Sequence, residues 1–324
     1  MRLFVTEFIT GGGIANNPLP ESLKQEGQLM LNAVLNDCAR INNVQLVTTI
    51  DKRISFNVEN VEVHEVEDAI DYMQQLVLIS RQCDAVWVIA PESEGILETI
   101  VTQLTNEKVT LINCDPQSIS IASDKLLCAE HLIEHNICTA RNLALDEAAF
   151  YSRPVMIKNR FGVGCEGLKR YESGQQALQE IEDFSQWVIQ PYIEGEHLSI
   201  SILFSDRQAT SISLNEQVFT YENKQPKLKA CLVNARAIND DINIIVDHIF
   251  HALPGLKGYV GVDVIETKSG YCVVDINPRL TSSYVGLCDV LVHNPAELCI
   301  NSVLTSDLPQ EIMKNNQVVE VCVA

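Results

Sequence analysis

Gly261-Val-Asp-Val-Ile-Glu-Thr-Lys-Ser-Gly-Tyr-Cys-Val-Val-Asp-Ile-Asn-Pro-Arg279 is the stretch of sequence that decides the fold. β-Branched and aromatic residues lie on both sides of Thr267-Lys-Ser-Gly270, which predicts two strands joined by a tight turn that ends in glycine. Asp275 and Asn277 are two residues apart on the second strand and therefore point to the same face. With Asp263 on the first strand, the predicted hairpin brings three oxygen donors together.

This group of oxygen donors predicts a divalent metal site. Neither carboxylate has an evident cationic neighbour before Arg279, and burying Asp263 and Asp275 without a partner would cost free energy. Mg²⁺, or Mn²⁺ in its place, takes oxygen ligands and usually shares its coordination with substrate phosphates. The alternative is a hairpin whose polar residues face solvent. We favour the metal because Pro and Arg279 follow Asn277 directly, and that arginine can fork onto a phosphate or a carboxylate.

The composition narrows the class of protein. A chain of 324 residues suits two or three domains with substantial cores. The formal net charge of −20 argues against a nucleic-acid partner. It does not argue against ATP, because a surface charge reaches only ~8 Å at physiological salt. No apolar run approaches the ~20 residues of a membrane span, so we expect no membrane partner.

The cysteines and the N-terminal residues bear on location. The 11 cysteines include no Cys-x-x-Cys pair, which is typical of free thiols in a reducing cytoplasm. The first eight residues turn acidic too early for a signal peptide. We therefore expect a cytoplasmic protein.

The first third of the chain alternates strands and helices. Strands are predicted at 3–8, 44–50, 84–90 and 109–113, and helices at 21–41, 66–80 and 94–105. The nearly continuous apolar run 85–89 suits a parallel sheet that is covered on both faces. This pattern predicts a parallel α/β unit.

A triple glycine, Gly11-Gly-Gly13, follows the first strand. It is succeeded by Asn16-Asn-Pro18 and not by a helix, so the G-x-G-x-x-G dinucleotide fingerprint is absent and NAD is rejected. Two interpretations stay open: a flexible loop at the sheet edge, or a loop that approaches substrate closely. Glu7 and Glu92 lie near such strand ends, where a carboxylate is more often solvated or capping than in contact with a ligand.

The middle and the end of the chain carry further motifs. A strand ends in Lys158 and is followed by Arg160-Phe-Gly-Val-Gly-Cys-Glu-Gly167, and a later strand contains Gln190-Pro-Tyr-Ile193. Further helices are predicted at 123–135, 174–184, 240–253 and 294–303, and further strands at 168–171, 198–204, 208–219 and, at a sheet edge, 317–323. Thr281 to Ser283 are expected to cap a short helix.

These elements occur in one order, and together they resemble the ATP-grasp superfamily over about residues 125–279. The resemblance implies an α/β (α+β) fold with three parts: a Rossmann-like parallel domain at 1–122, a small lid with the glycine-rich loop at 123–190, and an antiparallel-sheet domain at 191–324. A closer resemblance is to the carboxylate–amine ligases of methanofuran-type cofactor synthesis, the tyramine–glutamate ligase group. It is carried by Thr6-Glu-Phe-Ile-Thr-Gly-Gly-Gly13, Ser213-Leu-Asn-x-Gln217 and Asp275-Ile-Asn-Pro-Arg-Leu-Thr-Ser-Ser-Tyr-Val-Gly286.

The resemblance also implies roles for single residues. The residues implied to bind ATP are Lys125, Lys158, Gly162, Gly164, Gly167, Gln190, Tyr192, Ile193 and His197. The implied magnesium ligands are Asp263, Asp275 and Asn277, and the implied catalytic residues are Lys158 and Arg279. The chain departs from the pattern at His197 and Asp275, where the superfamily more often has glutamate.

The implied reaction is ATP-dependent ligation of a small-molecule carboxylate and a small-molecule amine, with ADP as product. An acyl phosphate intermediate explains the need for two lysines, Mg²⁺ and Arg279, because phosphoryl transfer depends on positioning and on cations that balance charge. The alternatives are a ligase with a dipeptide or carbamoyl-type product, and an ATP-binding regulatory module without turnover.

Contacts to the acid and amine substrates are expected from three residues. Arg236 could pair with a carboxylate or with a surface acid, and Ser282 opens a helix suited to an anion or to simple capping. Glu7 is the third candidate. Family analogy suggests a homodimer, and the role of Cys165 in the glycine-rich loop is left open.

Overall fold

Three β-sheets organise the described part of the chain in the computed structural model, which covers residues 1–164, 167–222, 225–309 and 311–323. The first sheet is parallel, and the two that follow are antiparallel. The predicted fold class, a parallel α/β unit followed by antiparallel sheets, is confirmed. None of the helices in these ranges has the length and apolar character needed to cross a bilayer.

The N-terminal sheet has the strand order β3-β2-β1-β4. Its strands are β1 (Arg2–Glu7), β2 (Gln45–Asp51), β3 (Val61–Val66) and β4 (Ala85–Ile89), and its helices are α1 (Glu21–Ala39), α2 (Ala69–Ser80) and α3 (Ile96–Asn106). The central strand β1 is buried from Leu3 onward, as expected for a strand covered on both faces. The predicted strand 109–113 is wrong, because Leu111 forms only a single bridge to Val86. β3 was not predicted.

The small sheet has the order β6-β5-β7. The elements of this region are α4 (Pro116–Ser123), α5 (Lys125–Glu134), α6 (Leu145–Phe150), β5 (Val155–Asn159), β6 (Lys169–Tyr171), α7 (Gly174–Leu178) and β7 (Trp187–Pro191). α5 starts directly after Asp124, whose carboxylate accepts hydrogen bonds from the amides of Leu126 and Leu127. α7 is shorter than the predicted helix 174–184.

The large sheet has six strands in the order β12-β11-β8-β9-β10-β13. Its strands are β8 (Glu196–Phe204), β9 (Ala209–Glu222), β10 (Gln225–Arg236), β11 (Gly258–Thr267), β12 (Gly270–Asn277) and β13 (Val319–Cys322). The helices of this part of the chain are α8 (Asp240–Ala252), α9 (Leu287–Val290) and α10 (Pro295–Leu304). β13 is an edge strand, as predicted. The long strand β10 was not predicted.

The hairpin β11–β12 has the predicted form. Asp263 pairs with Asp275 across it, and Gly261 pairs with Asn277. The turn ends at Gly270, whose φ of +118° is accessible to glycine and strained for other residues. A bulge after Asp263 re-aims the side chains at this point of the ladder.

The hydrophobic core is divided unevenly among the sheets. Two large clusters each combine residues of the N-terminal sheet with residues of the six-stranded sheet, for example Val86 with Val260 and Trp87 with Tyr259. A third, separate cluster belongs to the small sheet and contains Leu143, Ala148, Val155, Ile157, Ala177, Ile181 and Ile189. The domain boundaries near residues 122 and 190 stay predictions.

Candidate active site

A cavity of about 320 Å³ lies between the small sheet and the six-stranded sheet, with α1 on one side. Thirteen of the candidate site residues line it, namely Lys125, Lys158, Gly162, Gly164, Gln190, Tyr192, Ile193, His197, Asp263, Asp275, Asn277, Arg279 and Ser282. The remaining three candidates, Gly167, Arg236 and Glu7, are not part of its wall. Residues expected to share one function therefore surround one space.

The acidic residues of the hairpin converge at the floor of the cavity. Asn277 Nδ2 donates a hydrogen bond to Asp263 Oδ2 at 3.3 Å, and Gln217 Nε2 donates to the other oxygen of Asp263 at 2.9 Å. Lys125 Nζ donates to Asp275 Oδ2 at 2.7 Å. The expectation that neither carboxylate has a cationic neighbour before Arg279 is wrong, because Lys125 arrives from a distant part of the chain.

This cluster fits a divalent cation. Burial, and after it the charge of Asp275, raise the pKa of Asp263 to about 7. A nearby cation favours the ionised form of such a carboxyl group. Two carboxylates and an amide oxygen suit an ion that completes its coordination with water and phosphate oxygens. Within the described ranges, no group of three His, Cys, Asp or Glu side chains could hold a metal alone.

Two buried lysines face the same carboxylates. Lys158 Nζ donates to the carbonyl oxygen of Val274 at 3.3 Å. Burial lowers the pKa of Lys158, although the charge of Asp275 opposes this. Burial would also lower the pKa of Lys125, but its contact with Asp275 outweighs that effect and the net shift is upward. Buried ammonium groups so close together are suited to a polyanion such as a triphosphate.

The glycine-rich loop connects the antiparallel strands β5 and β6, as predicted. Gly162 and Gly164 border the cavity, and a Cβ added to Gly164 would meet no atom. Gly167 has φ of +71°, and a Cβ there would lie 2.7 Å from the ring of Trp187. Gly167 therefore packs behind the loop instead of lining the cavity. Cys165 lies outside the described residues.

The segment from Gln190 to His197 forms another wall. The side chain of Gln190 is held by a hydrogen bond from its Nε2 to the carbonyl oxygen of Ala140 at 2.9 Å, and both residues line the cavity. Tyr192 lies under the guanidinium of Arg170, 4.6 Å from the ring centre. His197 contacts Phe219 edge-on, and burial followed by the charge of Lys158 lowers its pKa. The lowered pKa favours the neutral form of His197.

Arg279 is buried and already anchored. Its Nε donates to Glu92 Oε2 at 2.7 Å and its Nη1 donates to the carbonyl oxygen of Leu280 at 2.9 Å. Among the described residues, none accepts from its Nη2. Arg279 lines the cavity, so its free N–H groups are available to a ligand. Glu92, considered a solvated or capping carboxylate from the sequence, is buried and orients this arginine.

The structure places the three residues expected to contact the substrates in different surroundings. Ser282 lines the cavity and donates its hydroxyl to Glu26 Oε1 at 2.8 Å. Arg236 instead forms ion pairs with Glu196 and Glu216, which is the surface alternative considered from the sequence. The sequence analysis proposed Glu7 as a contact to substrate, but Glu7 is not part of the cavity wall.

The carboxylate of Glu7 is used within its own loop. It accepts hydrogen bonds from the amides of Ile9 and Thr10 at 3.1 and 2.7 Å, which closes the turn before the triple glycine. The side chain is buried behind α1. The expected capping by Thr281 is also wrong, because its hydroxyl lies 2.9 Å from those of Ser283 and Tyr259 and caps no amide.

The sequence analysis did not predict several of the residues that line the cavity. They are Glu26, Arg170, Ser199, Phe219, Tyr221, Pro226, Leu228 and Cys231. The alternation of Gln217, Phe219 and Tyr221 places them on one strand face and could have indicated a shared wall. Glu26 precedes Gly27 in mid-helix, and a glycine in that position often marks close packing.

A family model described as an ATP-grasp domain matches residues 122–283, and one described as a pre ATP-grasp 3 domain matches residues 44–119. The first match spans half of the chain, and the protein belongs to the ATP-grasp family. Its sequence is 28% identical over 277 residues to a tyramine–L-glutamate ligase from Methanocaldococcus fervens. That match covers 85% of this chain and 86% of the relative.

Solved structures show the same fold. An ATP-grasp superfamily protein from Archaeoglobus fulgidus superposes with a TM-score of 0.71 at 18% identity, over 99% of each chain. N5-carboxyaminoimidazole synthetase from Staphylococcus aureus, solved with ADP, gives a TM-score of 0.69 at 16% identity, over 98% of this chain and 80% of the other. The family and the architecture predicted from the sequence are confirmed.

Proposed function

We propose that this protein is a ligase that activates a carboxylate with ATP and joins it to an amine, releasing ADP and phosphate. ATP-dependent carboxylate–amine ligation was predicted from the sequence and is confirmed by the family match and by the named relative. The observation that carries the assignment to this cavity is the convergence of Lys125, Lys158 and Arg279 on the Asp263–Asp275 pair. A regulatory module without turnover would not need this arrangement.

The nucleotide is assigned to the side of the cavity formed by the small sheet. Lys125 and Lys158 bind the phosphates, the glycine-rich loop covers them, and the main chain near Tyr192 and Ile193 binds the adenine. His197 is assigned to the ribose, where a neutral imidazole can donate or accept a hydrogen bond. This division is supported by the positions of these residues along one wall.

Asp263, Asp275 and Asn277 would hold Mg²⁺. When bound, the cation balances the charge of the triphosphate and of the phosphoryl group in transfer. Lys125 orients Asp275 through their 2.7 Å contact. Gln217 fixes the rotamer of Asp263 through a hydrogen bond to Oδ1, which leaves the other oxygen turned toward Asn277.

Arg279 is assigned to the reacting carboxylate. A carboxylate oxygen attacks the γ-phosphorus, the bond to the β-phosphate oxygen breaks, and ADP leaves. The amine nitrogen then attacks the acyl carbon, the bond to the phosphate oxygen breaks, and the nitrogen loses a proton. Arg279 stays in place because Glu92 and the Leu280 carbonyl hold it, so its Nη2 can stabilise the oxygens that gain negative charge.

We propose L-glutamate as the acid and tyramine, or a similar aromatic amine, as the nucleophile, within a cofactor biosynthesis. The named relative supports this choice. Phe219, Tyr221 and Leu228 add an apolar and aromatic wall that suits a phenyl ring. We also propose a cytoplasmic homodimer; the ten described cysteines are free thiols, as is typical of that compartment.

The test is ADP formation by the purified protein with ATP, Mg²⁺, L-glutamate and tyramine, with the amide identified by mass spectrometry. ADP release should require both substrates. Lys158→Met should lower turnover at least about 10²-fold, the usual effect of removing one preorganised charge. The exposed Lys268→Met, in the hairpin turn, should have normal turnover. Absence of ADP with every amino acid and amine pair would contradict the ligase assignment.

A further inference from the structure

Glu26 is a carboxylate on the cavity wall that the ligase chemistry above does not use. It lies on α1, in the N-terminal part of the chain, and is half-buried. Ser282 donates its hydroxyl to Oε1 at 2.8 Å, which leaves Oε2 open to the cavity. Within the part of the chain that the structure describes, no cationic side chain forms an ion pair with Glu26.

The positive charge of Arg279 is already balanced by Glu92. Burial would lower the pKa of Arg279, but Glu92 first and Glu26 after it reverse this effect. The carboxylate partner of Arg279 is Glu92, which is buried, and Arg279 itself is largely buried. Glu26 therefore acts on Arg279 only through space, and its own charge has no direct counter-ion.

A second carboxylate lies behind Glu26. Gly27 packs so closely on Glu7 that an added Cβ would lie 2.5 Å from Glu7 Oε2. Glu7 is bound only by neutral donors, the amides of Ile9 and Thr10 and the hydroxyl of Thr10. Burial raises the pKa of Glu7, so the negative charge at this end of the cavity is assigned to Glu26, which favours a positively charged ligand.

We propose that Glu26, held by Ser282, is the binding residue for a primary ammonium group of a substrate. This inference rests on the proposed ligase function and deepens it. One carboxylate and one hydroxyl suit an ammonium, which has three N–H donors, better than a divalent metal, which needs more oxygen ligands. The ammonium belongs either to the amine nucleophile or to an amino-acid carboxylate donor, and both present the same chemistry.

The position of Glu26 gives this contact a role in selectivity. Ser282 is three residues from Arg279, so the ammonium site and the site of the reacting carboxylate share one short segment. An ammonium bound at Glu26 is thereby placed beside the group that becomes the acyl phosphate. Substrates without a positive charge lose the contact and leave a half-buried carboxylate without a partner.

The test compares steady-state kinetics of Glu26→Gln with the wild type, varying L-glutamate, tyramine and ATP one at a time. We expect the KM for one ammonium substrate to rise about 10- to 100-fold, the effect of losing a charge-assisted hydrogen bond. The KM for ATP should stay within about twofold. The matched control is Glu21→Gln, which removes an exposed charge from the same helix and should leave all three values unchanged.

Two arms distinguish the sources of the ammonium. If it is the nucleophile, the KM for tyramine rises. If it is the α-ammonium of the acid, the KM for L-glutamate rises, while that for glutarate, which lacks the group, is equal in variant and wild type. Glu26→Asp, which keeps the charge, should recover part of the loss, whereas a purely structural role predicts no such recovery.

Equal KM values for both substrates in Glu26→Gln and wild type would overturn the inference. That result differs from a failure of the proposed function, in which the wild type itself releases no ADP. If Glu26→Gln binds ATP too weakly to be assayed, Ser282→Ala replaces it. This variant should raise the same KM by a smaller factor, and unchanged values would again overturn the inference.

Discussion

Lys125 and Asp275 are 150 positions apart in sequence and yet form a 2.7 Å ion pair between the start of α5 and the hairpin β11–β12. Both side chains are largely withdrawn from water. A buried pair of this kind is destabilising when one partner is removed, because the other charge is left without compensation. Lys125 thus has two effects: it orients the carboxylate of Asp275, and it ties the start of α5 to the hairpin β11–β12.

Asp37 offers a test of pH dependence. Tyr284 donates to Asp37 Oδ2 at 3.0 Å, and Arg40 pairs with its other oxygen. Burial nevertheless raises the pKa of Asp37 from 3.8 to about 6. A raised pKa means that the folded state binds the proton more tightly, so this contribution to stability is full below pH 4 and is lost as the pH rises through 6.

We therefore expect Asp37→Asn to gain stability relative to the wild type as the pH rises from 4 to 7. Each pKa unit corresponds to about 1.4 kcal/mol, so the difference in unfolding free energy should change by roughly 2–3 kcal/mol over this range. Urea denaturation at several pH values measures it. A difference that is constant with pH would contradict the raised pKa.

At this scale the sequence was informative where residues form an ordered motif. Asp263, Asp275 and Asn277 could be placed on one face from spacing alone, because a strand has a period of two. Glu26 and Gln217 could not be placed, since their positions depend on how α1 and β9 pack against the hairpin. The role of Arg236 could not be decided from the sequence, because an arginine suits both a surface salt bridge and a contact to a substrate carboxylate.

At the scale of elements, the hairpin β9–β10 extends beyond the sheet that supports it. β8 pairs with β9 only as far as Glu216, and the remainder of β9 pairs with β10 alone. Phe219 and Leu228 face each other across this extension and both line the cavity. The extension is therefore a wall of the cavity that β8 does not support.

Helix α1 approaches β1 and its following loop through Gly27. Alanine is normally favoured over glycine inside a helix by about 1 kcal/mol. Here a Cβ would lie 2.5 Å from Glu7, whose buried carboxylate is fixed by three hydrogen bonds. Overpacking costs about 1–3 kcal/mol, so Gly27→Ala should lower the unfolding midpoint.

The control for that measurement is Asn36→Ala, an exposed position on the same helix, which should be neutral or slightly stabilising. Thermal or urea unfolding followed by circular dichroism compares the two variants. A midpoint for Gly27→Ala at or above that of Asn36→Ala would show that the helix does not pack closely on Glu7.

The elements differ in how well the sequence predicts them. Strongly patterned helices and the β11–β12 hairpin were predicted because periodicity and turn chemistry agree. β3 was missed because five of its six residues are not buried, and β10 because it contains Pro226 and two lysines, which strands disfavour. These two strands form because they pair with β2 and with β9 and β13, and the sequence of each strand alone carries no signal for that pairing.

At the scale of the whole molecule, the cavity is bounded by parts with two different cores. The six-stranded sheet and α1 share one hydrophobic cluster, whereas the small sheet has its own. A ligand that contacts both sides reduces their freedom to separate. Binding at 100 times the dissociation constant would stabilise the folded state by about 2.7 kcal/mol.

We expect ATP and Mg²⁺ together to raise the melting temperature by several degrees, and ATP with EDTA to raise it less, because the acidic floor repels an uncompensated triphosphate. Differential scanning fluorimetry measures both. Asp275→Asn should lose most of the difference between the two conditions. An equal shift with and without Mg²⁺ would contradict the assignment of the metal to this hairpin.

The small sheet keeps its own hydrophobic cluster, separate from the two that the rest of the molecule shares. A segment of this kind can be replaced by the corresponding segment of a related protein. A chimera that takes residues 143–189 from a relative would leave the larger clusters intact, and with them Glu26, Arg279 and the extended hairpin. Lys158 and the glycine-rich loop, which we propose to bind the phosphates, can then be varied independently of the residues proposed to contact the acid and the amine.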